Sequence, residues 1–198
     1  MQFFNSFFSP DYQPSRIRQK CGGCNSHFYE LILNILKNNN IVSYYNCGVT
    51  KLVYKTNSNK IFKLIIIKDS KLINHYLKEP FYMINNSNIC NKPTYITLYI
   101  DMAFNNYYKN YNNLITTDVH NIKDYCLLTW FEDMATLPGK TMSEKKDILD
   151  RAIKFRENTR KLIKNDGFSD LSLNNMGFFD VAPHFRWFDI RPVKSKHL

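Results

Sequence analysis

Glycine and proline are scarce in this chain, at 6 and 7 of 198 residues. That excludes collagen-like chains and Gly/Pro-rich low-complexity chains. Long apolar runs are missing too. A membrane-spanning helix needs roughly 18 apolar residues, and the longest aliphatic run here, residues 64–67, is closed by Lys63 and Lys68. The first 20 residues carry no basic segment ahead of their apolar ones, so no secretory leader is expected and the chain is expected inside a cell. In a reducing compartment its five cysteines, an odd number, are expected to be free thiols. Acidic residues are few, 17 against 27 Lys and Arg, which leaves a net charge of +10.

What is present is enough to fold. Hydrophobic residues make up 44% of the chain, and its length suits one domain or one domain of two small lobes. Asn, Lys, Ile and Tyr are used heavily, a bias expected of an AT-rich genome, viral ones among them. Residues 1–20 read as a loose arm with aromatic anchors at Phe3, Phe4, Phe7 and Phe8. Ser26 caps a predicted helix to about residue 37, because Phe28, Leu31, Ile32, Ile35 and Leu36 recur at helical spacing. Strand-like runs at 41–45, 51–55 and 60–67 form an antiparallel meander, with a turn signal at 57–59. A helix starting at Ser70 is interrupted or kinked at Pro80. Strands are predicted at 94–102 and 124–131, with a long polar loop over 105–123 between them. A helix from 143 to about 165 carries Ile148, Leu149, Ala152, Ile153, Leu162 and Ile163 on its apolar face and stops at Gly167. Short strands at 176–179 and 185–189 close the pattern, which is α+β.

The candidate chemistry lies in three places. Asp170 precedes Asn175 by five residues, directly after the long helix, and Asp189 ends a strand 14 residues later. An Asp and an Asn brought together by a hairpin can hold a divalent cation through hard oxygen ligands, while the earlier Asp orients a hydroxyl. Far upstream, Lys63 sits in an apolar strand and must end near an anion.

This set resembles the protein kinase superfamily over about residues 41–190. Asp170-Leu171 with Asn175 matches the catalytic loop, Phe188-Asp189 the metal motif, and Ile61-Phe62-Lys63 the strand of the phosphate-pairing lysine. Residues 46–55 take the place of the glycine-rich loop, and 127–137 that of the strand and hinge that hold adenine. The resemblance implies a protein kinase-like fold: an N-terminal arm and helix over 1–40, a five-stranded antiparallel N-lobe and hinge over 41–137, and a truncated helical C-lobe over 138–198. It implies ATP and Mg²⁺ as ligands, with Asp170 and Lys63 catalytic and Asn175 and Asp189 on the metal. Gly48, Val53, Lys63, Glu79, Thr129 and Phe131 would bind the nucleotide, with Glu79 the partner of Lys63 and a Lys63–Asp189 ion pair across the cleft when ligand is absent.

The departures are specific. Gly48 alone remains of three loop glycines, with Asn46 and Lys51 in the other two places. Phe168 and Ser169 replace the catalytic-loop His and Arg, and Ile190 the Gly after the metal-binding Asp. The chain stops nine residues beyond Asp189, before any activation segment.

Three functions follow. One is an ATP-dependent serine/threonine kinase-like phosphotransferase. The second is a pseudokinase acting as an interaction module, its exposed apolar surface covered by a protein partner or a second copy. The third is a basic nucleic-acid-binding protein, which the charge and the many aromatics allow. Cys21-Gly-Gly-Cys24 with His27 invites a zinc or a thiol-redox reading; it offers too few ligands for a structural zinc, and the basic segment 16–20 precedes it where a redox pair usually follows a buried strand, so it reads as two free thiols in a flexible turn.

Overall fold

β-Branched and aromatic residues with few glycines supply the strands of one sheet between residues 41 and 133. In the computed structural model, which describes residues 12–47, 50–100, 106–107, 125–136 and 142–193, β1 (Ile41–Cys47), β2 (Lys51–Thr56) and β3 (Lys60–Ile67) form the expected meander. The β2–β3 turn is closed by Asn59, whose φ of 56° is the left-handed conformation that Asn tolerates, and by Thr56 Oγ1, which accepts from the Lys60 amide at 3.1 Å. β4 (Thr94–Ile100), β5 (Asn106–Tyr107) and β6 (Cys126–Asp133) complete one antiparallel sheet in the order β1-β2-β3-β6-β4-β5. Five strands are long, and β5 adds a two-residue edge. The aromatic anchors of the arm, Gly48, and the 105–123 loop apart from β5 lie outside the described residues.

Two helices precede the sheet. α1 (Pro14–Cys21) replaces the last part of the expected loose arm: Pro14 sits at its start, where a missing N–H costs nothing, and Ile17 and Cys21 are buried. α2 (Ser26–Asn38) is capped by Asn25, which accepts from the Phe28 amide at 2.8 Å, and Ser26 is the first helical residue rather than the cap. Between them the chain reverses at Gly22, at φ 57°. This brings Cys21 and Cys24 to a Cα separation of 5.4 Å, and they are joined by a disulfide rather than free. Together α1 and α2 bury Ile17, Phe28, Ile32 and Leu36 on the back of the sheet against Leu52, Tyr54, Phe62, Leu64 and Leu127.

The front of the sheet is covered by α3 (Ile73–Asn85), which follows a 3-10 turn at Ser70–Leu72. α3 runs through Pro80 without interruption. Ile73 and Leu77 pack on Ile65, Ile67, Leu98, Leu128 and Trp130. Further along, Met83 enters a separate core with Cys90, Ile163, Phe168, Leu171, Trp187 and Ile190. That second core belongs to α4 (Met142–Asn165), the paired strands β7 (Phe168–Ser169) and β10 (Arg191–Pro192), and the hairpin of β8 (Met176–Phe178) and β9 (Phe185–Trp187). α4 packs through Thr159 and Ile163, while Leu149 and Leu162 of its expected apolar face are about half exposed, at 50% and 51%.

The segments that follow α3 and β6 meet the hairpin at two backbone bridges, Cys90 to Trp187 and Thr136 to Phe178. The second is possible because residue 177 is glycine: a Cβ there would stand 2.7 Å from the Ala135 Cβ. No helix among the described residues is long and apolar enough to cross a membrane.

Candidate functional site

Strand register decides which side chains share the front of the sheet. Val53 pairs with Lys63, and Lys63 pairs with Trp130. Cross-strand pairs point to one side and alternate residues follow them. Lys51, Val53, Ile61, Lys63, Trp130 and Glu132 therefore face the hairpin, and Phe62 and Leu64 face α2.

Beneath that face lies a cleft of about 660 Å³, part of it open to solvent. Its apolar walls include Val53, Ile61, Met134, Ala135, Phe179 and Phe188, and its charged groups include Lys51, Lys63, Glu132 and Asp189. Tyr45, 60% exposed, stands at its rim.

Two buried ammonium groups organise the interior. Lys51 Nζ lies 2.5 Å from Glu79 Oε1 of α3 and also binds Asp189 Oδ1. Lys63 Nζ lies 2.7 Å from Glu132 Oε1 and donates to the Phe188 carbonyl. Glu132 is held further by Trp130 Nε1 at 2.6 Å and Asn91 Nδ2 at 3.2 Å, so its buried charge is well solvated by donors. Burial pulls the Lys51 ammonium down, but Glu79 and Asp189 together outweigh it and hold Lys51 above the ordinary lysine range. Burial likewise pushes Asp189 up, and Lys51 and Lys63 reverse it, holding the carboxyl below its usual range. At Glu79 burial prevails over the neighbouring lysines, and its carboxyl lies above the usual range.

The loop below supplies the other acidic group. Asp170 adopts φ 63°, and its Oδ2 lies 3.3 Å from Arg191 of β10, both side chains being about half exposed. Asn175 Nδ2 donates to the Asp170 carbonyl at 2.5 Å. The Asn175 carbonyl in turn accepts from the Phe188 amide at 3.0 Å and the Asp189 amide at 3.4 Å. Asp170, Asn175 and Asp189 are thus linked through one stretch of backbone. Among the described residues no three His, Cys, Asp or Glu side chains converge in a metal-binding group.

Several expectations are corrected. Glu79 pairs with Lys51 and not with Lys63, because Lys51 lies two residues along the front face toward α3. Asp189 takes Lys51 rather than Lys63 as its ion-pair partner, since Lys63 is held by Glu132. Thr129 and Phe131 do not line the cleft: they alternate with Trp130 and Glu132 onto the back of the sheet, where Phe131 packs on Phe62 with ring centroids 4.9 Å apart. Val53 does line it, and Gly48 lies outside the described residues. The sequence reading missed Lys51, Glu132 and Asn91. A signal existed for two of them: Lys51 stands where the resemblance calls for a glycine, and Glu132 ends an otherwise apolar run. No family model matches this chain, and no curated protein sequence matches it either.

Proposed function

We propose that the cleft binds ATP with Mg²⁺ in a protein kinase-like arrangement, with Lys51 of β2 taking the phosphate-pairing role expected of Lys63. The observation that carries this reading is Lys51 held between Glu79 on the front helix and Asp189 at the end of the hairpin. The order β1-β2-β3-β6-β4, with a helix inserted between β3 and β4, supports the kinase-like fold. The apolar walls suit a purine, and the paired lysines suit phosphate oxygens. Asp189 and Asn175 offer hard oxygen donors, the chemistry Mg²⁺ requires, and Asn175 already spends its Nδ2 on Asp170, which leaves Oδ1 as its acceptor. The cation would neutralise phosphate charge. Asp170 would orient a substrate hydroxyl, and phosphoryl transfer asks little more of the protein than positioning and charge stabilisation.

The test is thermal shift with millimolar ATP, with and without Mg²⁺. Wild type should gain stability that rises with the logarithm of ATP concentration above Kd, and Lys51→Met and Asp189→Ala should lose the gain. No shift for wild type overturns the reading.

A second reading, a pseudokinase serving as an interaction module, is favoured by one contact: Arg191 pairs with the carboxylate that would orient the hydroxyl. ATP turnover equal in wild type and Asp189→Ala, with nucleotide binding intact in wild type, selects it.

A further inference from the structure

The Cys21–Cys24 disulfide has no part in the cleft. It joins residues three apart, a loop so short that the bond removes little chain entropy. The α1–α2 pair is already fastened by Ile17, Phe28, Ile32 and Leu36. Stability is therefore a poor explanation for the bond, and its surroundings suggest chemistry. The two sulfurs are unequal. Cys21 is 1% exposed within the core, whereas Cys24 is half-buried. Both border a surface cavity of about 860 Å³, partly open to solvent, shared with Arg18 and Tyr29. Cys24 directly precedes the cap of α2, a 13-residue helix whose N-terminal dipole favours a thiolate. Two cations stand nearby: Arg18, which lies over the Tyr29 ring at 5.2 Å, and Lys68, whose Nζ lies beside Gly22 in the turn between the two cysteines.

We propose that Cys21 and Cys24 form a thiol–disulfide exchange site for low-molecular-weight anionic thiols of the glutathione class. The Cys24 thiolate attacks a substrate disulfide, forming a mixed disulfide and releasing one substrate thiolate. Cys21 then gives up its proton and attacks Cys24 Sγ. This closes the internal disulfide and releases the second substrate thiolate. Two electrons pass from the dithiol to the substrate disulfide, and two molecules of reduced thiol run the same steps backwards. Arg18 and Lys68 match the carboxylates of such a thiol.

The full chain is equilibrated in glutathione buffers, quenched, alkylated and mapped by peptide mass. With reduced glutathione at about 10 mM, the disulfide should open reversibly before the reduced form reaches about a hundredfold excess over oxidised. Cys21→Ser should trap glutathione on Cys24, and Cys24→Ser should leave Cys21 without adduct. In the Cys21→Ser background, Lys68→Glu should slow adduct formation on Cys24 about tenfold more with oxidised glutathione than with the uncharged hydroxyethyl disulfide. A bond that stays closed in the folded wild type at that excess overturns the proposal. Equal adducts at both cysteines overturn it too, as does a Lys68→Glu change that slows the oxidised glutathione and hydroxyethyl disulfide reactions equally or not at all. The wild-type measurement stands even if a cysteine variant fails to fold.

Discussion

Lys51 and Asp189, 138 positions apart in the chain, form an ion pair across the cleft, and Lys51 ties Glu79 into the same group. Replacing Lys51 by Met leaves Glu79 buried without its closest cation. Breaking a buried pair from one side costs about 3–5 kcal/mol. Burial already holds the Glu79 carboxyl above its ordinary range, so its folded form takes up a proton more readily than its unfolded form. Stability from such a group is present at low pH and lost as pH rises. The Lys51→Met defect should therefore shrink as pH falls from about 7 to about 5, and Glu79→Gln should rescue it. Urea midpoints at the two pH values measure this, and a defect of equal size at both would contradict it.

Lys63→Met acts on a different group. It strips Glu132 of its cation at 2.7 Å but leaves Trp130 Nε1 and Asn91 Nδ2 in place. Stability should fall by about 2–4 kcal/mol, and the emission of Trp130 should shift because the carboxylate against its indole is perturbed. Lys63→Met with Glu132→Gln should recover most of the loss, the amide oxygen still accepting from Trp130. A single variant as stable as wild type would mean that this pair is not structural.

The fold should weaken in alkali. Burial pushes the Cys90 thiol up from 9.0 to about 12, with Glu132 and Glu79 adding to the effect. A group whose folded pKa is raised contributes stability that is whole below its unfolded pKa and lost as pH rises toward the folded one. Cys90 therefore erodes stability between pH 9.0 and about 12. Lys51 and Tyr82, both raised, add their losses at higher pH. Cys90→Ala should flatten the decline between about pH 8.5 and about pH 10.5. Equal slopes in the two proteins would exclude Cys90 as its source.

Gly177→Ala should loosen the contact between sheet and hairpin. The added methyl meets the Ala135 Cβ at 2.7 Å and the Phe179 ring at 3.1 Å, so the Thr136–Phe178 bridge must part. Overpacking of this kind costs about 1–3 kcal/mol. Hydrogen exchange at the Thr136 amide, which donates to the Phe178 carbonyl at 2.9 Å, should accelerate, and protection equal to wild type would refute the contact.

Much of this was legible in the sequence because it rests on local period. The meander, α4 and the closing hairpin follow from apolar spacing and turn residues, and Lys63 opposite Phe62 and Leu64 follows from strand alternation. What was not legible depends on register. Whether Thr129 or Trp130 faces the cleft turns on the single pairing of Lys63 with Trp130, and one step in either direction exchanges the faces. The partner of Glu79 depends on where α3 crosses β2, which no local signal records. The Cys21–Cys24 bond depends on Gly22 turning the chain back at the end of α1, a helix masked by an otherwise aromatic and basic stretch.

α3 belongs to two cores, with Ile73 and Leu77 in one and Met83 in the other, and Glu79-Pro80 lies where they divide. Proline brings no N–H to the ladder at that point. The helix is therefore most compliant at its crossing point, between two ends clamped in different bodies. A force that spreads sheet from hairpin concentrates its bending there, one residue from the carboxylate that grips Lys51. Any bending of α3 at that point would act directly on the carboxylate that grips the ammonium, so the cleft's width and the Lys51–Glu79 pair share one mechanical element.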